Sequence, residues 1–174
     1  MGMSERAYTW AKQNPEVVYD QKTLKDPAIN TGAYGDGTFD DEFQWAATEL
    51  FITTGNEEYY KASKIDSVMH TSFSVPTWPK VNTLALYSLL RNRDNLENSE
   101  LVDIEAVIQK VTEMADELVK YSINSAYGTP MGDKDSNFEW GSNSVAANQG
   151  ILLINAYYAT GQEKYLHAAI DNLD

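Results

Sequence analysis

An apolar helical run ends in Thr54-Gly55-Asn56-Glu57-Glu58-Tyr59, and a second such run ends in Thr160-Gly161-Gln162-Glu163-Lys164-Tyr165. In both copies the phrase closes one helix and opens another, and Ala62 and Ala168 fall three residues after Tyr59 and Tyr165. The glycine supplies the left-handed residue that ends the first helix. The polar residue after it can cap the second helix, and the glutamate beyond sits favourably against that helix's N-terminal dipole. The unit is an αα-hairpin, and repeated αα-hairpins stack around a shared core.

Periodicity predicts about seven helices whose character alternates between amphipathic and apolar nearly all round. Residues 4–14 form a short one-sided helix ended by Pro15, and a loop rich in Tyr, Asp, Gly and Pro runs to Phe39. Asp40 and Asp41 stand where a cap is needed for an interior helix carrying Phe43, Ala47, Leu50, Phe51 and Thr54 on one stripe, widened by Trp45 and Ala46. A more polar helix follows over 56–67, then an apolar one over 81–90. The long helix 99–123 sets Leu101, Ile104, Ile108, Val111, Ala115 and Leu118 against a charged face, so it is an outer helix. Ser142 or Asn143 caps a further interior helix, 145–159, and an amphipathic helix, 162–174, closes the chain. The expected fold is all-α: a partial α/α toroid built from αα-hairpins, with 79–90 and 145–159 among its least exposed segments. A tetratricopeptide solenoid would need a repeat of roughly 34 residues, which is absent.

Charge and composition narrow the partners. A net charge of −13 argues against nucleic acid and anionic membrane surfaces, and leaves a neutral or cationic ligand. With no cysteine there is neither a disulfide framework nor a thiolate metal site. The N-terminus lacks the apolar core of a signal peptide, and no apolar run is long enough to span a membrane. Met1 to Met3 read as a start segment and residues 4–174 as one helical domain.

Three loops each precede an interior helix and each sets an aromatic beside polar groups: Thr31 to Asp36, Ser72 to Trp78 and Asn137 to Asn143. In a toroid such loops emerge at one end. Tyr34, Trp78 and Trp140 are therefore candidate platforms for the faces of sugar rings, with Asn, Ser and Asp supplying hydrogen bonds to hydroxyls. The competing reading of each ring taken singly is core packing.

The segments TGAYGDGTFDDEFQWAATELFITTGNEEY and FEWGSNSVAANQGILLINAYYATGQEKYLHAA resemble the middle of the catalytic module of glycoside hydrolase family 9, the endoglucanase and cellulase family. The resemblance spans nearly the whole chain. It implies an (α/α)6 barrel, hydrolysis of β-1,4-glucan with inversion through two distant carboxylates, and a secreted or cell-surface location for the longer protein. It also implies that Tyr34 and Trp140 contact sugar, with Trp78 as another such position. The family's water-activating acids lie in a DAGD-like motif ahead of this region and its acid glutamate lies well beyond it, so the resemblance implies no catalytic residue within the chain. The reading is of a central fragment of a cellulase-like module that binds β-glucan or cello-oligosaccharide. The alternative is a non-catalytic helical module that holds carbohydrate or a protein partner. A partial barrel also leaves inner-helix surface uncovered, a setting for self-association.

No cofactor is required by this reading. Some relatives bind calcium near the pair that matches Asp41 and Glu42, with help from loop carbonyls such as those of Gly37 and Thr38, and calcium favours oxygen-rich loops. Capping of the helix start is the competing account of the two carboxylates. Pro79 and Lys80 stand where family members often carry acids. Asp133, Asp135 and Asn137 mimic the start of an EF-hand loop, but Phe138 takes the glycine position and Ser144 that of the bidentate glutamate. His70 and His167 lack metal-site spacing, and no nucleophile-elbow or phosphate-loop motif is present.

Overall fold

The computed structural model describes residues 2–20, 23, 35–70, 74–96, 99–133, 135–138 and 141–173, with Val68 and Ser136 described by their backbone alone. Among these residues the chain is all-helical: α1 (Met3–Gln13), α2 (Asp40–Thr54), α3 (Glu57–Ser63), α4 (Ile65–Met69), α5 (Asn82–Arg91), α6 (Arg93–Leu96), α7 (Ile104–Asn124), α8 (Ser142–Thr160) and α9 (Glu163–Asp171).

Both copies of the repeated phrase fold alike. Gly55 and Gly161 take φ of 68° and 70°, and their amides reach back to the carbonyls of Phe51 and Tyr157 at 2.8 and 2.7 Å. Thr54 and Thr160 each donate to the carbonyl four residues back, at 2.7 and 2.8 Å, and each hydroxyl accepts the amide two residues on at 3.2 Å. The copies differ at the second cap: Asn56 accepts the Glu58 amide at 2.9 Å, whereas Gln162 makes no side-chain cap.

Among the described residues nine helices stand where seven were expected: side-chain bonds split one of the seven, and the short α6 follows α5 as an addition. The expected helix 56–67 breaks at Lys64, a non-glycine residue at φ 53°. There the Ser63 hydroxyl donates to the Tyr60 carbonyl at 2.6 Å and draws the Ile65 amide to itself at 3.4 Å, competing with the helical ladder. Asn92 likewise ends α5 by donating its side-chain amide to the Ser88 carbonyl, and α6 begins beyond it. α7 starts at Ile104 rather than Ser99, since Asp103 accepts the Ala106 amide at 3.0 Å and so sets the N-terminus. Ser142 and Asn143, expected as caps, fall inside α8, whose cap position is Gly141.

Four cross-links show that the apolar helices α2, α5 and α8 run side by side in one direction. Asp41 at the start of α2 accepts the Val81 amide at the start of α5, and two turns further on Glu49 meets Ser88. At the start of α5 the Asn148 side chain of α8 reaches the Pro76 carbonyl, and at its far end Arg93 reaches Ala159. α1, α3, α7 and α9 pack outside this inner layer. The core is the seam between the layers, with Leu86 and Leu89 of α5, Val111 and Ala115 of α7, Leu152 and Leu153 of α8, and Tyr165 of α9. Lys164 pairs with Asp116 at 2.6 Å, and the Tyr165 hydroxyl donates to the same carboxylate at 2.9 Å, tying α9 to α7.

Of segment 79–90, Thr83 to Leu90 is buried as expected apart from half-buried Leu84, whereas Lys80 is exposed and Pro79, Val81 and Asn82 are half-buried. Segment 145–159 is buried on one side only: Ile151 is 46% and Tyr158 74% exposed. α8 is apolar around more of its circumference than α5, α7 and α9 cover. The uncovered strip continues as an apolar groove of about 430 Å³ lined by Ala147, Gly150, Ile151, Ile154, Ile170 and Leu173.

Candidate functional site

The parallel run of α2, α5 and α8 brings the loops that precede them to one end of the bundle, and of the three candidate aromatics only Trp78 falls among the described residues. Tyr34 and Trp140 lie outside them. Trp78 stands at the tip of a tight turn closed by a pair of backbone bonds, Thr77 amide to Lys80 carbonyl at 3.0 Å and Lys80 amide to Thr77 carbonyl at 3.2 Å. It is 60% exposed, which separates it from the core aromatics Tyr87 and Tyr165 at 1% each.

Each limb of this turn is gripped by a different inner helix. On the incoming limb the Asn148 amide of α8 donates to the Pro76 carbonyl at 2.8 Å, and on the outgoing limb Asp41 of α2 accepts the Val81 amide at 2.6 Å. Thr83 of α5 adds a bond to the Ser74 carbonyl at 2.7 Å. Asn148 was not singled out by sequence reasoning; its one signal is a polar side chain, beside Gln149, inside a largely apolar helical run.

Asp41 therefore fastens α5 to α2 and does not cap its own helix, whose cap position, Phe39, carries no side-chain bond. Glu42 beside it keeps Oε2 shielded from solvent without a hydrogen-bond partner, and so does Asp36 with Oδ2. Burial pushes the Glu42 carboxyl above its usual range; the bond with Asp41 and the negative charges of Asp41 and Asp36 add to the rise, against a backbone amide that lowers it. Carboxylate oxygens, together with loop carbonyls, are the donor chemistry calcium prefers. Among the described residues, however, no group of three or more His, Cys, Asp or Glu side chains is gathered closely enough to hold an ion.

A second polar cluster, also missed from sequence, sits between α2 and α5. The Trp45 indole donates to Glu49 at 3.0 Å and approaches the Ser88 hydroxyl at 3.3 Å, and Ser88 donates to the same carboxylate. Every member is partnered, so the cluster reads as a buried fastener.

The sequence profile described as Glycosyl hydrolase family 9 matches residues 2–174. A xyloglucan-specific endo-beta-1,4-glucanase of Bacteroides ovatus is 33% identical over 175 residues, covering 98% of this chain and 30% of that protein. Endoglucanase C of Cellulomonas fimi is 32% identical over 147 residues, covering 82% of this chain and 13% of that protein. Among solved structures, a family 9 protein of Bacteroides ovatus superposes with a TM-score of 0.77 at 31% identity, over 98% of this chain and 31% of the other. The family 9 endoglucanase J30 gives 0.77 at 25% identity, over 97% and 30%. The chain thus spans about 30% of the length of the Bacteroides ovatus relative, and its layered helices form part of an (α/α)6 toroid. The chain belongs to glycosyl hydrolase family 9.

Proposed function

We propose that this chain is part of a β-1,4-glucan-hydrolysing module that works with inversion, and that its own contribution is to hold substrate while the two catalytic carboxylates lie outside residues 1–174. The observation that carries the reading is the match of nearly the whole chain to a family whose similar members are named endoglucanases. The mouth of the inner-helix end is where Trp78 stands exposed, and Tyr34 and Trp140 are assigned to the same cleft as sugar-facing rings. A solvent-facing indole offers a flat apolar surface to the C–H face of a glucose unit, and a net negative chain does not repel a neutral polymer. Residues 4–174 act as one helical domain in this reading, in a longer protein that is secreted or displayed at the cell surface. No helix among the described residues is long and apolar enough to cross a membrane.

The test is made in a longer protein that contains this segment. Trp78→Ala and Trp140→Ala are each expected to weaken cello-oligosaccharide binding several-fold, since an aromatic stack is worth on the order of 1 kcal/mol. Unchanged affinity accompanied by a fall in melting temperature would return both rings to structural roles.

Asp41 and Glu42, with the carbonyls of Gly37 and Thr38, are the groups proposed to hold a structural calcium. When bound, the ion would neutralise the carboxylates and stiffen the entry to α2. Millimolar calcium is expected to raise the melting temperature of the chain, by the equivalent of about 2.7 kcal/mol at a hundred times the dissociation constant. Glu42→Gln is expected to lose that rise. An equal rise in the variant, or none in the parent chain, rejects the site.

The apolar strip on α8 and α9 is proposed as a self-association surface. Sedimentation at high protein concentration is expected to reveal a species larger than the monomer, and a strictly monomeric profile would refute it.

A further inference from the structure

We infer that the loop between α7 and α8 is a second glucan-contacting surface, with Tyr127 and Phe138 as its sugar-facing rings. The inference rests on the reading of the Trp78 end of the bundle as the sugar-binding end, and extends that end to a separate loop.

A short relay of hydrogen bonds puts this loop at the same end as Trp78. The Asn172 side chain, just beyond α9, accepts from the Thr129 hydroxyl at 3.0 Å and donates to the Ala146 carbonyl near the start of α8 at 2.6 Å. Two residues further along α8, Asn148 reaches the Pro76 carbonyl on the limb that leads to Trp78.

The loop is tied to itself and rooted in the bundle. Pro130 and Met131 are buried. The Ser122 hydroxyl donates to the Gly128 carbonyl at 2.6 Å, and the Ser125 hydroxyl accepts the Thr129 amide at 2.9 Å. Asp133 accepts the Ala126 amide at 3.2 Å, and the Asn137 side chain donates to the Met131 carbonyl at 2.6 Å. Gly132 lies between the two limbs, where a Cβ would stand 3.7 Å from Tyr121 and 3.9 Å from the Asn137 side chain. From this frame Tyr127 and Phe138 project, 89% and 54% exposed.

Rings left in water forgo the burial that Tyr87 and Tyr165 obtain, and a frame held by so many bonds lowers the ordering cost of binding. The neighbouring groups indicate the occupant. Exposed Asp133 and Asp135 offer acceptors to hydroxyls on the loop that carries the flat apolar rings, the pairing that a sugar presents in reverse. The same carboxylates, in a chain of net charge −13, repel an anionic polymer and not a neutral glucan. A polymer already held at Trp78 meets this loop at high effective concentration, so rings that bind weakly alone still add to polymer affinity.

The experiment follows the full 174-residue chain by affinity electrophoresis through gels containing hydroxyethyl cellulose, a soluble β-1,4-glucan derivative. Tyr127→Ala and Phe138→Ala are each expected to raise the dissociation constant about three- to tenfold, the scale of one aromatic stack. Tyr127→Phe keeps the ring and is expected to bind like the parent chain. The melting temperature of Tyr127→Ala should match the parent's, since the ring packs on little. Unchanged affinity in both alanine variants, with Trp78→Ala weakened, overturns this surface and leaves the Trp78 reading standing. Loss in Tyr127→Ala and Phe138→Ala with none in Trp78→Ala supports this surface and rejects the Trp78 platform. The inference is also overturned if the parent chain is not retarded, or if Tyr127→Ala loses affinity only in step with its melting temperature. Slower sedimentation of Tyr127→Ala at unchanged glucan affinity would make the ring a protein contact, and overturns it too.

Discussion

The isolated 174-residue chain is expected to release no reducing sugar from soluble β-glucan above the buffer rate. Inverting hydrolysis needs one carboxylic acid on the leaving oxygen and one carboxylate on the attacking water, set about 6.5–9.5 Å apart across the bond. Each general acid or base contributes on the order of 10²–10⁴-fold, so losing both removes essentially all turnover. The family's DAGD-like motif has no counterpart in the sequence, and one of the carboxylates at the loop end of α2 is otherwise engaged. Asp41 is bonded to the Val81 amide. Turnover that persists through repurification, in a reducing-sugar assay, would overturn this expectation.

Leu86→Ala is expected to destabilise the chain by about 3 kcal/mol, within the range of roughly 2–5 found for fully buried leucines. Leu86 has no exposed surface and belongs to the cluster shared by α5, α7 and α8. The void would open where the helical layers meet, and each is pinned by other contacts, so the site cannot collapse cheaply. Urea unfolding followed by circular dichroism should show a lower midpoint with an unchanged slope. A loss below about 1 kcal/mol would mean that the layers can close over the cavity.

Much of the helical order was legible because its causes are local. Gly55 and Gly161 announce left-handed helix ends, and alternation between one-sided and all-round apolar helices separates outer from inner layers. Some boundaries escaped for a reason that is also local but weaker than periodicity: Ser63 diverts the ladder and Asp103 caps α7 through side-chain bonds that a hydrophobic pattern does not register. The expected burial of α8 was half right. An apolar circumference says which surface would be buried given neighbours, and only packing says how much of it α5, α7 and α9 reach.

The candidate site was legible as residue types and not as geometry. An aromatic before an interior helix can be read from Ser72 to Trp78, and the acidic opening of α2 from Asp40 to Glu42. That Asp41 would reach across to Val81, and Asn148 to Pro76, could not be read, since both bonds join residues far apart in the chain. Sequence alone determined the all-helical class, the αα-hairpin unit and the family, because capping, period and motif are properties of contiguous residues. Only the tertiary structure decided which carboxylate fastens two helices instead of capping one, and which end of the bundle carries the exposed indole. Those outcomes depend on the parallel run of α2, α5 and α8, a relation among segments that no single stretch of chain encodes.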